Sequence, residues 1–161
     1  MRLTTMVVGL VLLGASASNG QDLGVYITGG TGSIDYLVHR KTIPQFTAGA
    51  LWNVPGGLVR IGGEAVVMTS NGYVSGRGGP FAEVSVAHTA RVRPFVRGGR
   101  FFGEDTSWVA GAGIDFWVTG RSGMRLLVQD AFRPSRTSPP FEWQTRHVFH
   151  EPSVQVGWVW R

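Results

Sequence analysis

The stretch SWVAGAGIDFWVTG, residues 107–120, alternates along its length. Its even positions, Trp108, Ala110, Ala112, Ile114, Phe116 and Val118, are all apolar. Its odd positions, Gly111, Gly113, Asp115 and Thr119, are small or polar, with Val109 and Trp117 as exceptions. Successive side chains of a strand point to opposite faces, so this spacing predicts a β-strand with two unlike faces.

The same period recurs on both sides. In GMRLLVQDAFRP, residues 123–134, Met124, Leu126, Val128 and Phe132 share one face, broken by Asp130. Arg125, Gln129 and Arg133 share the other with Leu127 and Ala131. In VRPFVRGGRF (92–101), Val92, Pro94 and Val96 oppose Arg93, Phe95 and Arg97. In VRIGGEAVV (59–67), Val59, Ile61, Ala65 and Val67 oppose Arg60, Gly62 and Glu64. The last segment, PSVQVGWVWR (152–161), sets Val154, Val156, Trp158 and Trp160 against Ser153, Gln155 and Gly157. Weaker alternation over 23–30, 45–53 and 80–88 brings the expected strands to eight. No segment shows an amphipathic helical face of three turns. The expected fold is all-β: a closed, antiparallel, up-and-down eight-stranded transmembrane barrel, with long loops over 31–44 and 135–150, a medium loop around SNGYVSGRGG, and tight turns at NVPGG and TGRSG. Apart from a short connection at GEDTS, longer and shorter connections are expected to alternate, as they do in outer-membrane barrels.

Alternation does not say which face is wet. A soluble barrel buries its apolar face and a membrane barrel turns it to lipid. Three features favour the second arrangement. The polar face combines glycines with charges of both signs. Lys41 is the only lysine of the chain. Strand ends carry Trp52, Trp108, Phe116, Trp117, Trp158 and Trp160, as expected of aromatic girdles at the two membrane interfaces. Charged residues make up only 16% of the chain, below the ~25% usual for soluble domains. The lumen of an eight-stranded barrel just holds side chains. The charges Arg60, Glu64, Glu83, Arg93, Arg97, Asp115 and Arg125 are therefore expected to form an ion-paired network plugging it.

Residues 1–20 read as a signal peptide. Arg2 supplies the charge, Met6 to Leu13 a short apolar core, and Ala15-Ser16-Ala17 a small-residue cleavage site near Ala17. Residues 21–161 then form the barrel domain. The absence of cysteine excludes disulfides. The net charge of +5 is scattered along the chain, which argues against a nucleic-acid partner.

The segment RVRPFVRGGRFFGEDTSWVAGAGIDFWVTGRSGMRLLVQDAF, with the terminal PSVQVGWVW, resembles the small eight-stranded outer-membrane β-barrels, the group that includes the transmembrane domain of outer membrane protein A. The resemblance covers nearly the whole chain after the signal. It implies the bacterial outer membrane as location, membrane lipid and lipopolysaccharide as surroundings, and recognition of the last strand by the barrel-assembly machinery. Family members usually end on an aromatic residue; here Trp160 is penultimate and Arg161 last. The resemblance specifies architecture and names no extracellular ligand.

Chemistry is less evident. VYITGGTGSID (25–35) is spelled like a dinucleotide-binding turn, but Asp35 stands where the third glycine belongs and no βα repeat follows. It is read instead as a strand whose glycines release it into a surface loop from Ser33. No cofactor is expected. His147, His150 and Glu151 form too sparse a set for a metal site. Some barrels of this size hydrolyse lipid A with a His and a Ser two residues apart. His88 and His150 have their nearest serines, Ser85 and Ser153, three residues away and on the opposite strand face. The expectation is therefore a non-enzymatic barrel with a structural or surface-interaction role. The alternatives are a secreted soluble barrel binding a small apolar ligand, and a lipid-modifying membrane enzyme.

Overall fold

The computed structural model describes residues 23–35, 40–70, 72–85, 91–103, 106–134 and 148–161. They form eight strands: β1 (Leu23–Asp35), β2 (Arg40–Asn53), β3 (Val59–Ser70), β4 (Tyr73–Ser85), β5 (Val92–Phe101), β6 (Ser107–Trp117), β7 (Ser122–Pro134) and β8 (Val148–Trp160). Each strand pairs antiparallel with its sequence neighbour, and β1 closes on β8 from Val25↔Trp160 to Gly32↔Ser153. The all-β closed barrel expected from the sequence is the fold observed. Closure leaves no open sheet edge along the shared height of the strands, which is how a barrel satisfies its backbone without solvent.

The connections differ from expectation. β1 and β2 remain paired as far as Asp35↔Arg40, so the expected loop over 31–44 shrinks to 36–39, outside the described residues. Two of the glycines of VYITGGTGSID, Gly30 and Gly32, serve close approach within the sheet. A Cβ on Gly30 would strike the Val154 carbonyl on β8, and one on Gly32 would lie 2.7 Å from the Gln45 side chain. The medium loop around SNGYVSGRGG is likewise strand. Ser70 pairs with Tyr73, leaving positions 71 and 72 to reverse the chain. Gly72 has φ +80°, the backbone for which a two-residue Asn-Gly hairpin is preferred. Only 135–147 remains a long connection, so the expected alternation of long and short connections does not hold. Those residues lie outside the described part, as do the signal segment 1–20, His39, His88 and His147. The barrel end bearing that connection is the loop end; the end where β1 starts and β8 finishes is the turn end.

The burial pattern is inverted relative to a soluble barrel. Outward side chains at mid-barrel are apolar and exposed: Ile27 is 58% exposed, Val96 48% and Val154 52%. Inward, Glu83, Asp115 and Arg125 are each 0% exposed. Two clusters of buried apolar residues also lie inside the barrel. One, at the loop end, contains Ile43, Val66, Met68, Phe101, Val109 and Ala131. The other, at the turn end, contains Tyr26, Leu51, Phe81, Trp117 and Val159.

Candidate functional site

The charges between these clusters come together because of strand register. Arg60 on β3 lies opposite Glu83 on β4, and Glu83 opposite Arg97 on β5. Asp115 on β6 lies opposite Arg125 on β7. All point inward, because each occupies the inward phase of its strand's period-two alternation. Like charges directly opposite would repel, whereas these neighbours alternate in sign.

Arg125 is the hub. Its Nε donates to Asp115 Oδ1 at 2.8 Å and its Nη2 to Asp115 Oδ2 at 3.0 Å. Its Nη1 and Nη2 also donate to Glu83 Oε1 and Oε2, at 3.0 and 3.2 Å. Arg60 closes the square from the other side, reaching Glu83 at 2.7 Å and Asp115 at 2.8 Å. A second pair lies beside it: Arg97 meets Glu64 at 2.9 Å, and the Tyr26 hydroxyl donates to the same Glu64 oxygen. Three arginines and three carboxylates thus form a layer of zero net charge. Such compensation is the condition under which buried ions are tolerated.

Aromatic faces complete the layer. Arg97 stacks over Phe81 at 3.9 Å, Arg125 over Tyr26 at 4.3 Å, and both Arg125 and Arg60 over Phe95, at 4.6 and 5.1 Å. Glycines make the room. A Cβ at Gly49 would run into the Tyr26 ring that crosses it to reach Glu64, and one at Gly113 into the Phe95 ring. These stacked planes span a lumen that eight strands make only wide enough for side chains.

Two expected members behave differently. Arg93 is buried but takes neutral acceptors: Ser85 Oγ at 2.6 Å, Asn53 Oδ1 at 3.3 Å and the Gly57 carbonyl. It sits at the turn end, where the 54–58 turn presents its backbone, so it secures that turn instead of joining the ionic layer. Trp117 was expected in an outward aromatic girdle and is instead inside the turn end, 7% exposed, under the Arg161 guanidinium at 4.2 Å. Its odd position on β6 puts it in phase with Asp115, and the period overrides its aromatic character. The other expected girdle residues face outward: Trp108 at the loop end, and Trp52, Phe116, Trp158 and Trp160 at the turn end. On β6, Trp108 and Phe116 are eight residues apart, about 26 Å along a tilted strand. At the ~35–45° tilt usual for such strands this is about 20 Å of height, somewhat less than the ~25 Å apolar band of outer-membrane barrels.

The sequence reading missed a third ionic group at the loop end. Glu151 bridges Arg77 and Arg133, the latter at 3.7 Å. Tyr26, Thr28 and Gln155 were not singled out either; Thr28 donates to Gln155 at 2.6 Å inside the barrel. His150 faces outward at the loop end with Asp130 at 2.6 Å. Ser85 and Ser153, the serines nearest His88 and His150 in sequence, are both inside.

No protein-family model matches the sequence, and no curated protein matches it either. Solved structures do. Neisserial surface protein A aligns over 86% of this chain and 96% of its own, with a TM-score of 0.62 at 9% identity. The fold is that of the small eight-stranded outer-membrane β-barrels. The N-terminal β-barrel domain of Pseudomonas aeruginosa OprF follows, with a TM-score of 0.55 at 11% identity, covering 88% of this chain and all (100%) of that domain. The de novo designed protein TMB2.3 is similar as well, with a TM-score of 0.54 at 15% identity over 87% of this chain and 93% of its own. At these identities the barrels share architecture and little side-chain chemistry, so function has to be argued from this barrel's own residues.

Proposed function

We propose that this protein is an outer-membrane β-barrel with a structural or surface-interaction role, its lumen closed by the neutral ionic layer around Arg125. The inverted burial pattern carries this reading. Exposing Ile27, Val96, Leu126 and Val154 to water while burying Arg60, Glu83, Asp115 and Arg125 is unfavourable in a soluble protein. In a bilayer the same arrangement places apolar groups in hydrocarbon and charges with their partners. The soluble ligand-binding alternative needs an apolar internal cavity, whereas the middle of this lumen is occupied by stacked guanidinium and carboxylate groups. Catalysis on an outward face, as in a lipid-modifying barrel, would need a serine there, whereas Ser85 and Ser153 point inward.

Export through the signal segment and assembly by the barrel-assembly machinery belong to the same proposal. The even-numbered outward positions of β8 end in Val154, Val156, Trp158 and Trp160, an apolar stripe of the kind a terminal-strand receptor can read. Fractionation of expressing cells should leave the protein in the Sarkosyl-insoluble outer membrane. Unheated samples should migrate differently from boiled ones on gels, reporting a closed barrel that survives detergent. A freely soluble product with one mobility would overturn the membrane assignment.

A further inference from the structure

We propose that the barrel's outer wall carries a specific site for a phosphate-bearing lipid, with an acyl chain lying in a glycine-floored groove and its phosphate on Arg100; the site rests on the membrane reading above. The groove, about 660 Å³, crosses the outward faces of β2 to β6 between Trp52 and Ile61 at one side and Arg100 and Trp108 at the other. Gly63 and Gly98 lie on its floor.

The fold does not require these two glycines. A Cβ on either would meet only a backbone oxygen at 3.8 Å, an ordinary contact. Gly62, by contrast, also borders the groove, yet a Cβ there would strike the Ala50 carbonyl, so strand packing demands it. Gly63 and Gly98 therefore make a trough in an apolar wall that the sheet could have filled with larger side chains. A trough of that lining on a lipid-facing wall suits a hydrocarbon chain.

Charge identifies the headgroup. Arg100 is exposed on the outward face of β5 near the loop end, stacked on Trp108 at 5.3 Å and on Phe102 at 5.5 Å. The two rings hold the guanidinium at the groove's mouth. Asp130 and His150, also outward near the loop end, satisfy each other at 2.6 Å. Arg100 meets no carboxylate among the described residues, and its planar fork of donors matches a phosphate. Its position near the loop end places the bound phosphate in the leaflet on that side.

The test is native mass spectrometry of the full chain released from bilayers containing phosphatidylglycerol and uncharged diacylglycerol, with inorganic phosphate as a separate probe. Wild type should retain phosphatidylglycerol over diacylglycerol and should not retain inorganic phosphate, which lacks the chain. Arg100→Gln should reduce the preference for phosphatidylglycerol about fivefold or more. Gly98→Leu, which fills the trough, should reduce retention of both lipids while leaving heat-modifiable mobility intact. Retention by both variants equal to wild type would overturn the site. So would a wild-type barrel that inserts and shows heat-modifiable mobility but keeps no lipid, and the membrane reading would survive that result. Failure of wild type to enter bilayers at all would overturn both.

Discussion

Arg125→Ala should lower the unfolding free energy of the folded barrel by roughly 3–5 kcal/mol, measured by urea titration in detergent or liposomes. The size follows from what the deletion leaves behind. Glu83 and Asp115, both 0% exposed, lose the donors that reach them at 2.8 to 3.2 Å. Arg60 alone then faces two carboxylates, and the layer carries an uncompensated buried negative charge. The loss reports that orphaned charge, and the net worth of the intact pairs is smaller. Adding Glu83→Gln alone to the Arg125→Ala chain returns the layer to zero net charge with Arg60 still on Asp115, and should therefore recover part of the loss. A change below ~1 kcal/mol for Arg125→Ala would mean that water already solvates the layer and that the lumen is not closed there.

Gly30→Val should be about as damaging, for a different reason. Gly30 lies at the β1–β8 seam opposite Gln155, and a Cβ there collides with the Val154 carbonyl and the Gln155 Cα. Backbone atoms cannot rotate away as a side chain can, so relief requires the two closing strands to separate. A cost of about 3 kcal/mol or more is expected, at the upper end of overpacking effects. It should show as a larger fraction of barrel lacking the heat-modifiable band. Gly29→Val is the control. A Cβ there faces outward and meets only the Phe46 ring at 3.5 Å, so closure should be nearly unaffected. Equal closure by the two variants would remove the seam role assigned to Gly30.

Gly30 also shows what the sequence could not disclose. The alternation over 23–30 was legible as strand, because period two survives wherever side chains differ in polarity. Glycine carries no side chain to alternate, so TGGTGSID read as a strand giving way to a loop. Its glycines answer instead to a neighbouring strand far away in sequence. The same misreading hid the loop-end ion group: with 70–79 taken as loop, Arg77 had no face to occupy and Glu151 no partner. The Asn-Gly dipeptide at 71–72 was the available signal, since that dipeptide between strands favours a two-residue hairpin. Trp117 failed in the opposite direction, where residue type was weighted above phase. Arg60, Glu64, Glu83, Arg97, Asp115 and Arg125 were legible as a group because charge on one phase of several strands has a single destination once the barrel closes. Their pairing was not, because register is set by turn geometry and backbone fit across strands.

The central claim is that the apolar outer wall lies in lipid and the charged face does not. The chain has no cysteine, so single cysteines can be introduced and labelled without background. Nitroxides at Leu126 and Val154, outward on β7 and β8, should be measured in liposomes by power-saturation EPR against molecular oxygen and a polar nickel chelate. The account predicts high oxygen accessibility and almost none to the chelate at both positions. Greater accessibility to the chelate than to oxygen at those sites, in barrels that have closed, would contradict it.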